Sequence, residues 1–141
     1  ACVGNTANVS DGSCLGESAC DYNYGNVGEG SCLGDDACRR NDGIVTSNAC
    51  IGGDSCIYNR GTIGEGSCQL DYACRYNKGN IAKGSCIGDQ ACYYNGGEIG
   101  VDSCNMYRAC YRNTGDVGNG ACLGTRACYF NVDLVADGGC I

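Results

Sequence analysis

An all-β fold, built as a single β-solenoid (β-helix) of about eight 18-residue coils with three short strands each, is what this sequence predicts. Three observations lead there. Sixteen cysteines fall at spacings that alternate 12 and 6 from Cys2 to Cys140 without an exception. Within the resulting 18-residue period, one column holds only valine or isoleucine and another only asparagine. Apolar residues never recur at the 3.6-residue spacing of a helix face, so helices are disfavoured. A strict period of this size marks stacked units, and the array runs over residues 1–141 as one repeat domain.

With columns counted from Ala1, so that residues 18 apart share a column, the consensus is A-C-x-Y-N-x-G-x-[VI]-G-x-G-S-C-[LI]-G-x-x. Cysteines fill columns 2 and 14, and the residue before each is Ala, Ser or once Gly, so that place must be small. Column 5 is Asn5, Asn23, Asn41, Asn59, Asn77, Asn95, Asn113 and Asn131. Glycine usually follows two residues later, as at Gly25, Gly43 and Gly61, and Asn closely followed by Gly reads as a turn. An unbroken Asn column predicts a ladder of stacked side-chain amides. Column 9 is Val9, Val27, Val45, Ile63, Ile81, Ile99, Val117 and Val135, β-branched in every coil, which predicts a buried strand position. Corners of Gly, Asn and Asp would separate strands of three or four residues. Coils stacked roughly 4.8 Å apart would make a rod on the order of 37 Å long.

Composition narrows the function classes. There is no histidine, so triads and metal sites that depend on it are excluded. Net charge is −7, which speaks against nucleic-acid binding. Mean hydropathy is −0.21 with no long apolar run, so no membrane insertion is expected. Cysteine at this density marks a disulfide scaffold and an oxidising, extracellular or secreted location. No cofactor, metal or enzymatic activity is expected. The carboxylate pairs, such as Asp35 and Asp36, recur in repeated corners, and repetition argues against one active site.

The G-x-[VI]-G-x-G-S-C-[LI]-G-x-x-A-C pattern resembles hexapeptide-repeat left-handed β-helices, which also use 18 residues per coil. The C-x5-C spacing is similar to that of cysteine-stapled insect antifreeze solenoids. Both resemblances span the whole chain through its period, on short motifs. They imply a stapled solenoid, left-handed in the first case. Secreted Cys/Gly-rich repeat proteins of algae look similar too, and bring no activity with them.

Two registers compete. The hexapeptide register buries the residue after each cysteine, which suits Leu15, Leu33, Ile51, Ile87 and Leu123 but also buries Asp21, Arg39 and Arg75. An unpaired buried charge costs several kcal/mol. The opposite register puts the cysteines inside and leaves the aliphatic row, with Ile141, facing out; it is preferred. The expected bridges are then within a coil: Cys14–Cys20, Cys32–Cys38, Cys50–Cys56, Cys68–Cys74, Cys86–Cys92, Cys104–Cys110 and Cys122–Cys128. A rival scheme pairs cysteines 12 apart, from Cys2–Cys14 to Cys128–Cys140, and leaves none over; spacing alone does not decide.

Under the first scheme Cys2 and Cys140 stay single, and together they form one interrupted C-x5-C module. The chain opens on Ala1, which predicts a processed segment, and its terminal repeats follow the interior consensus without a cap. The expected function is therefore structural: a subunit of an extracellular filament, stacked head to tail, with Cys2 and Cys140 bridging between subunits. The alternatives are an ice-binding monomer and a surface adhesive or glycan-binding module. Threonines are few and form no T-x-T row, which counts against ice. Tyr22, Tyr58, Tyr76 and Tyr94 share a column with Arg40, Arg112 and Phe130, giving either an internal stiffening ladder or a glycan-binding face. Basic residues gather on the Asn-containing stretch and acidic ones at the other corners, as ordinary surface charge or for lateral docking of rods. Asn8 heads the one N-glycosylation sequon, Asn8-Val9-Ser10.

Overall fold

Backbone direction in this chain is set by left-handed residues at four columns of each coil. The computed structural model, which describes residues 2–140, places positive φ at column 12, where Gly12, Gly30 and Gly66 alternate with Asn48 and Asp102, residue types that accept it. Columns 14, 18 and 4 do the same with larger side chains. Every column-14 cysteine from Cys14 to Cys140 has φ between 55° and 59°. Ser18, Asp36 and Tyr72 share this conformation in column 18, and Tyr22, Arg40 and Phe130 in column 4. Tight turns accompany them, such as Asp21 N–H to Ser18 O at 3.1 Å and Asn23 N–H to Cys20 O at 3.3 Å.

This overturns the expected architecture. Among the described residues there is no helix and no strand longer than one residue. What remains of β structure is seven isolated parallel bridges, from Val9 with Val27 to Val117 with Val135. Neither an all-β solenoid with three short strands per coil nor the left-handed β-helix form of it is present. The physical reason lies in the φ pattern. A strand needs successive residues in the β region, and a left-handed residue interrupts it at columns 12, 14, 18 and 4. The longest interval free of one is columns 5–11, and the bridging column 9 sits in its middle; the others are three residues or fewer.

Regular stacking survives without strands. Between successive coils, the amides of Tyr24, Gly28 and Cys32 donate to Asn41 O, Val45 O and Ala49 O at 2.8, 2.8 and 3.0 Å. In the reverse sense Val45, Asn48, Asp54, Cys56 and Tyr58 donate to Asn26 O, Glu29 O, Asp35 O, Ala37 O and Arg39 O at 2.7–3.2 Å. The same bonds recur 18 residues on, along the stack.

The interior is thin. Val27, Val45, Ile63, Ile81, Ile99, Val117 and Val135 are buried in one row, with Val9 half-buried at its start. Buried alanines, cysteines and asparagines complete the core, and no aromatic ring enters it. Coils approach so closely at column 7 that a Cβ on Gly43 or Gly61 would overlap the carbonyl of the glycine one coil on. The row after the first cysteine is not uniformly outward. Leu15 and Leu123 are exposed, whereas Leu33, Ile51 and Ile87 are half-buried. Ile141 lies outside the described residues. Ile57, in a column that otherwise holds Val3, charged residues and tyrosines, is buried as well.

Candidate functional site

Turns at columns 14 and 2 aim cysteine side chains at each other across a corner. Cys14–Cys20, Cys32–Cys38, Cys50–Cys56, Cys68–Cys74, Cys86–Cys92, Cys104–Cys110 and Cys122–Cys128 are disulfides, with Cα atoms 5.5–5.7 Å apart. All fourteen residues are buried. Closing so short a loop stabilises by about 2 kcal/mol per bridge on chain-entropy grounds. At two places successive bridges nearly touch: the sulfur of Cys68 lies within 4.8 Å of both sulfurs of Cys50–Cys56, and Cys122 stands likewise to Cys104–Cys110. These sulfur clusters are the places where a soft metal would fit by distance, but every sulfur in them is already bonded to another. Cys2 and Cys140 are free and exposed. The disulfides require an oxidising environment. No helix is long and apolar enough to cross a membrane.

A second ladder runs beside the sulfurs. Asn23 Nδ2 donates to Asn5 Oδ1 at 3.0 Å, and the bond repeats through Asn41, Asn59, Asn77, Asn95, Asn113 and Asn131 at 2.8–2.9 Å. The other Nδ2 hydrogen goes to the carbonyl two residues on, as from Asn59 to Gly61 at 2.7 Å. Asn23 through Asn113 are buried. Every amide points the same way, so the ladder starts on the Nδ2 of Asn5 and ends on the Oδ1 of Asn131.

Two further sets of bonds were not read from the sequence. In column 13 the Ser31 hydroxyl donates to Thr46 O at 2.7 Å and accepts from Ala49 N–H at 3.1 Å; Ser67, Ser85 and Ser103 repeat the arrangement. Where Ala49 replaces serine, the next amide, Ser67 N–H, turns to Gly64 O at 3.3 Å. The only signal was a column of small residues. Asp and Asn side chains also serve as rungs, accepting from the amide one coil back. Asp35 does so for Glu17, Asp71 for Gly53, Asn80 for Thr62, Asp116 for Glu98 and Asp137 for Asn119, at 2.7–3.0 Å. Some of the acidic corner residues are thus structural acceptors as well as surface charges. Asp21 is another: the amide of Val3, 2.9 Å away, holds its carboxyl below the usual carboxylate range.

The outer corner is lined with rings and guanidinium groups. Tyr58, Tyr76 and Tyr94 stack at 5.2 and 4.6 Å, with planes 8° and 14° apart. Tyr93, Tyr111 and Tyr129 stack beside them at 5.3 and 5.1 Å. Arg40 bridges Tyr22 and Tyr58, and Arg112 bridges Tyr94 and Phe130. The rings therefore turn their faces to each other and their edges to solvent. Part of the basic stripe is neutralised within the chain, since Arg75 meets Asp54 at 3.0 Å. Burial of Asp54 outweighs that attraction and holds its carboxyl above the usual range, with Asp36 and Asp71 adding repulsion. Asn8, of the sequon, is exposed.

Both ends of the stack show unmatched groups in the interior pattern. Among the described residues, the amides of Val9 and Gly12 and the carbonyls of Asn5 and Val9 find no backbone partner at one end. At the other, the amides of Val132 and Ala136 and the carbonyls of Leu134 and Asp137 find none. Val3 and Leu15, then Val132 and Leu134, are 62–76% exposed beside them.

Seven bridges on one 18-residue repeat define a disulfide-rich tandem-repeat protein. More particularly, the chain belongs to the DUF7640 family, a domain of unknown function, whose profile matches residues 1–81 and again 48–141. The two matches overlap, as a tandem repeat allows. No curated protein and no solved structure matches the chain.

Proposed function

We propose that this chain is a structural subunit that stacks end to end, copy upon copy, into an extracellular filament. One observation carries the reading: the unmatched groups at the two ends are complementary in the register of the interior. Interior coils bond column 6 N–H to column 5 O, and column 10 N–H to column 9 O, one coil on. Val132 and Ala136 would meet Asn5 and Val9 of the next copy in this way. Val9 and Gly12 of that copy would donate back to Leu134 and Asp137. The amide ladder would continue from Asn5 Nδ2 to Asn131 Oδ1. Cys140 stands in column 14 and Cys2 in column 2, so across the joint they are the two halves of one bridge.

The amide ladder also fixes the sense of stacking. Two like ends would set Oδ1 against Oδ1, or Nδ2 against Nδ2, so top must meet bottom. Such a heterologous contact gives an open filament unless its rotation closes a ring. One residue works against a seamless joint: Asp133 stands in column 7, where interior coils need glycine. The first junction shows the accommodation, since Ala7 occupies the same column there and the bond from Thr6 N–H to Asn23 O persists at 3.1 Å. The glycan-binding alternative loses support from the ring geometry. Sugars stack on open aromatic faces, and here neighbouring rings and guanidinium groups cover the faces.

Non-reducing electrophoresis and electron microscopy of the same sample test the proposal. A ladder of multiples that collapses on reduction, together with filaments of a few nanometres' axial repeat, is expected. Isolated particles at high concentration under oxidising conditions refute it.

A further inference from the structure

The free thiols and the buried bridges are not separate systems. The sulfur of Cys122 lies within 4.8 Å of both sulfurs of the Cys104–Cys110 bridge one coil back. Cys68 has the same relation to Cys50–Cys56. Cys140 occupies the next place in that column, with the same left-handed φ of 55° as Cys122. It carries a free, exposed thiol. Its backbone has the conformation of Cys122, one coil further along the same column.

We propose that the stacked bridges form a thiol–disulfide exchange path, entered by the Cys140 thiolate. Disulfides exchange by attack of a thiolate on a bridging sulfur. In the first step Cys140 Sγ gives its proton to solvent and attacks Cys128 Sγ. The Cys128–Cys140 bond forms, the Cys122–Cys128 bond breaks, and the electron pair leaves on Cys122 Sγ. Cys122 already lies beside Cys110, so the same step follows there and leaves the thiolate on Cys104. Each step makes one S–S bond and breaks one, so no oxidant or reductant is consumed. The free thiol moves from Cys140 to Cys122 and on to Cys104, and the two bridges behind it change from a separation of 6 to one of 12. Bridges at both separations, 6 and 12, thus become states of one molecule, with the number of bridges held at seven and Cys2 still a free thiol. Attack within the stack is intramolecular, which favours it over exchange between chains.

The path needs one chain only and stands whether or not copies stack. The test uses the full chain with Cys2→Ser, which leaves Cys140 as its one free thiol and prevents a Cys140–Cys2 joint. The protein is held at mildly alkaline pH, quenched in acid, denatured, alkylated with a maleimide and mapped by mass spectrometry. A Cys128–Cys140 peptide is expected, with label shared between Cys140 and Cys122 or cysteines further along that column, at a rate independent of protein concentration. Label confined to Cys140 with all seven original bridges intact overturns the proposal. So does rearrangement that speeds up with protein concentration, or that persists when Cys140→Ser is added.

Discussion

Replacing Ser55 with alanine should make the protein more stable. Ser55 is fully buried, and its hydroxyl has no hydrogen-bond partner. Its column otherwise holds alanine, at Ala19, Ala37, Ala73, Ala91, Ala109 and Ala127, so the backbone there accepts a bare methyl. The main-chain bonds of Ser55, to Gly52 O at 3.3 Å and from Cys74 N–H at 2.7 Å, do not involve the side chain. An unsatisfied buried hydroxyl costs about 1–3 kcal/mol, and deleting it removes that cost. After a small allowance for the lost atom's packing, Ser55→Ala should gain about 1–2 kcal/mol, or roughly 3–7 °C in Tm for a chain of this length. The matched control is Ser67→Ala. Ser67 is equally buried, but its hydroxyl donates to Ala82 O at 2.8 Å and accepts from Ser85 N–H at 3.1 Å. The same chemical change there should cost about 1–2 kcal/mol, because it strands those partners. Calorimetry at neutral pH without reductant reads both. If the two variants shift Tm in the same direction, or Ser55→Ala lowers it, the reasoning from hydrogen-bond satisfaction is wrong.

Other perturbations address the remaining ladders. Asn59→Ala leaves Asn41 Oδ1, Gly61 O and one hydrogen of Asn77 without partners, and should destabilise by about 3–5 kcal/mol in the same assay. Asp133→Gly should lengthen the oligomers seen on non-reducing gels, since it removes a side chain from the column where coils approach most closely; unchanged oligomers would count against stacking at that face. The carboxyl of Asp21 is held below its ordinary value by the Val3 amide, so its contribution is present above the unfolded pKa and is lost as pH falls through the lower folded one. The protection factor of the Val3 amide, its exchange rate relative to the unprotected rate at the same pH, should therefore fall in acid, and Asp21→Asn, which keeps an acceptor oxygen without the charge, should remove most of that pH dependence.

How much of this was legible in the sequence depended on whether a column carries one residue type. The cysteine, asparagine and aliphatic columns are unbroken down the chain, because each interior place has room for one shape and one bonding pattern. The local backbone was not legible. Valine or isoleucine in every coil reads as strand, yet only one residue per coil bridges to the next. Positive φ at Tyr58, Arg112 or Cys86 leaves no compositional trace, since these are not types that favour it and stacking imposes it. The rungs made by Asp35 and Asp71 were obscured for another reason. Their columns also admit glycine, tyrosine and threonine, so an acceptor that matters in one coil looks like a solubilising charge across all of them.

Left-handed residues also govern how such a molecule can come into being. Outside glycine each one costs about 1 kcal/mol in a chain of L-amino acids, and an interior coil carries such residues at columns 14, 18 and 4, with glycine, Asn or Asp at column 12. A solitary coil would bear that cost with little more than its own staple and turns to offset it, because most of its backbone hydrogen bonds lie in the neighbouring coils. The first pair of coils is then the difficult one, and each later coil adds to a surface already set in its shape. Folding should resemble growth from a seed, with a lag for the nucleus and rapid extension afterwards.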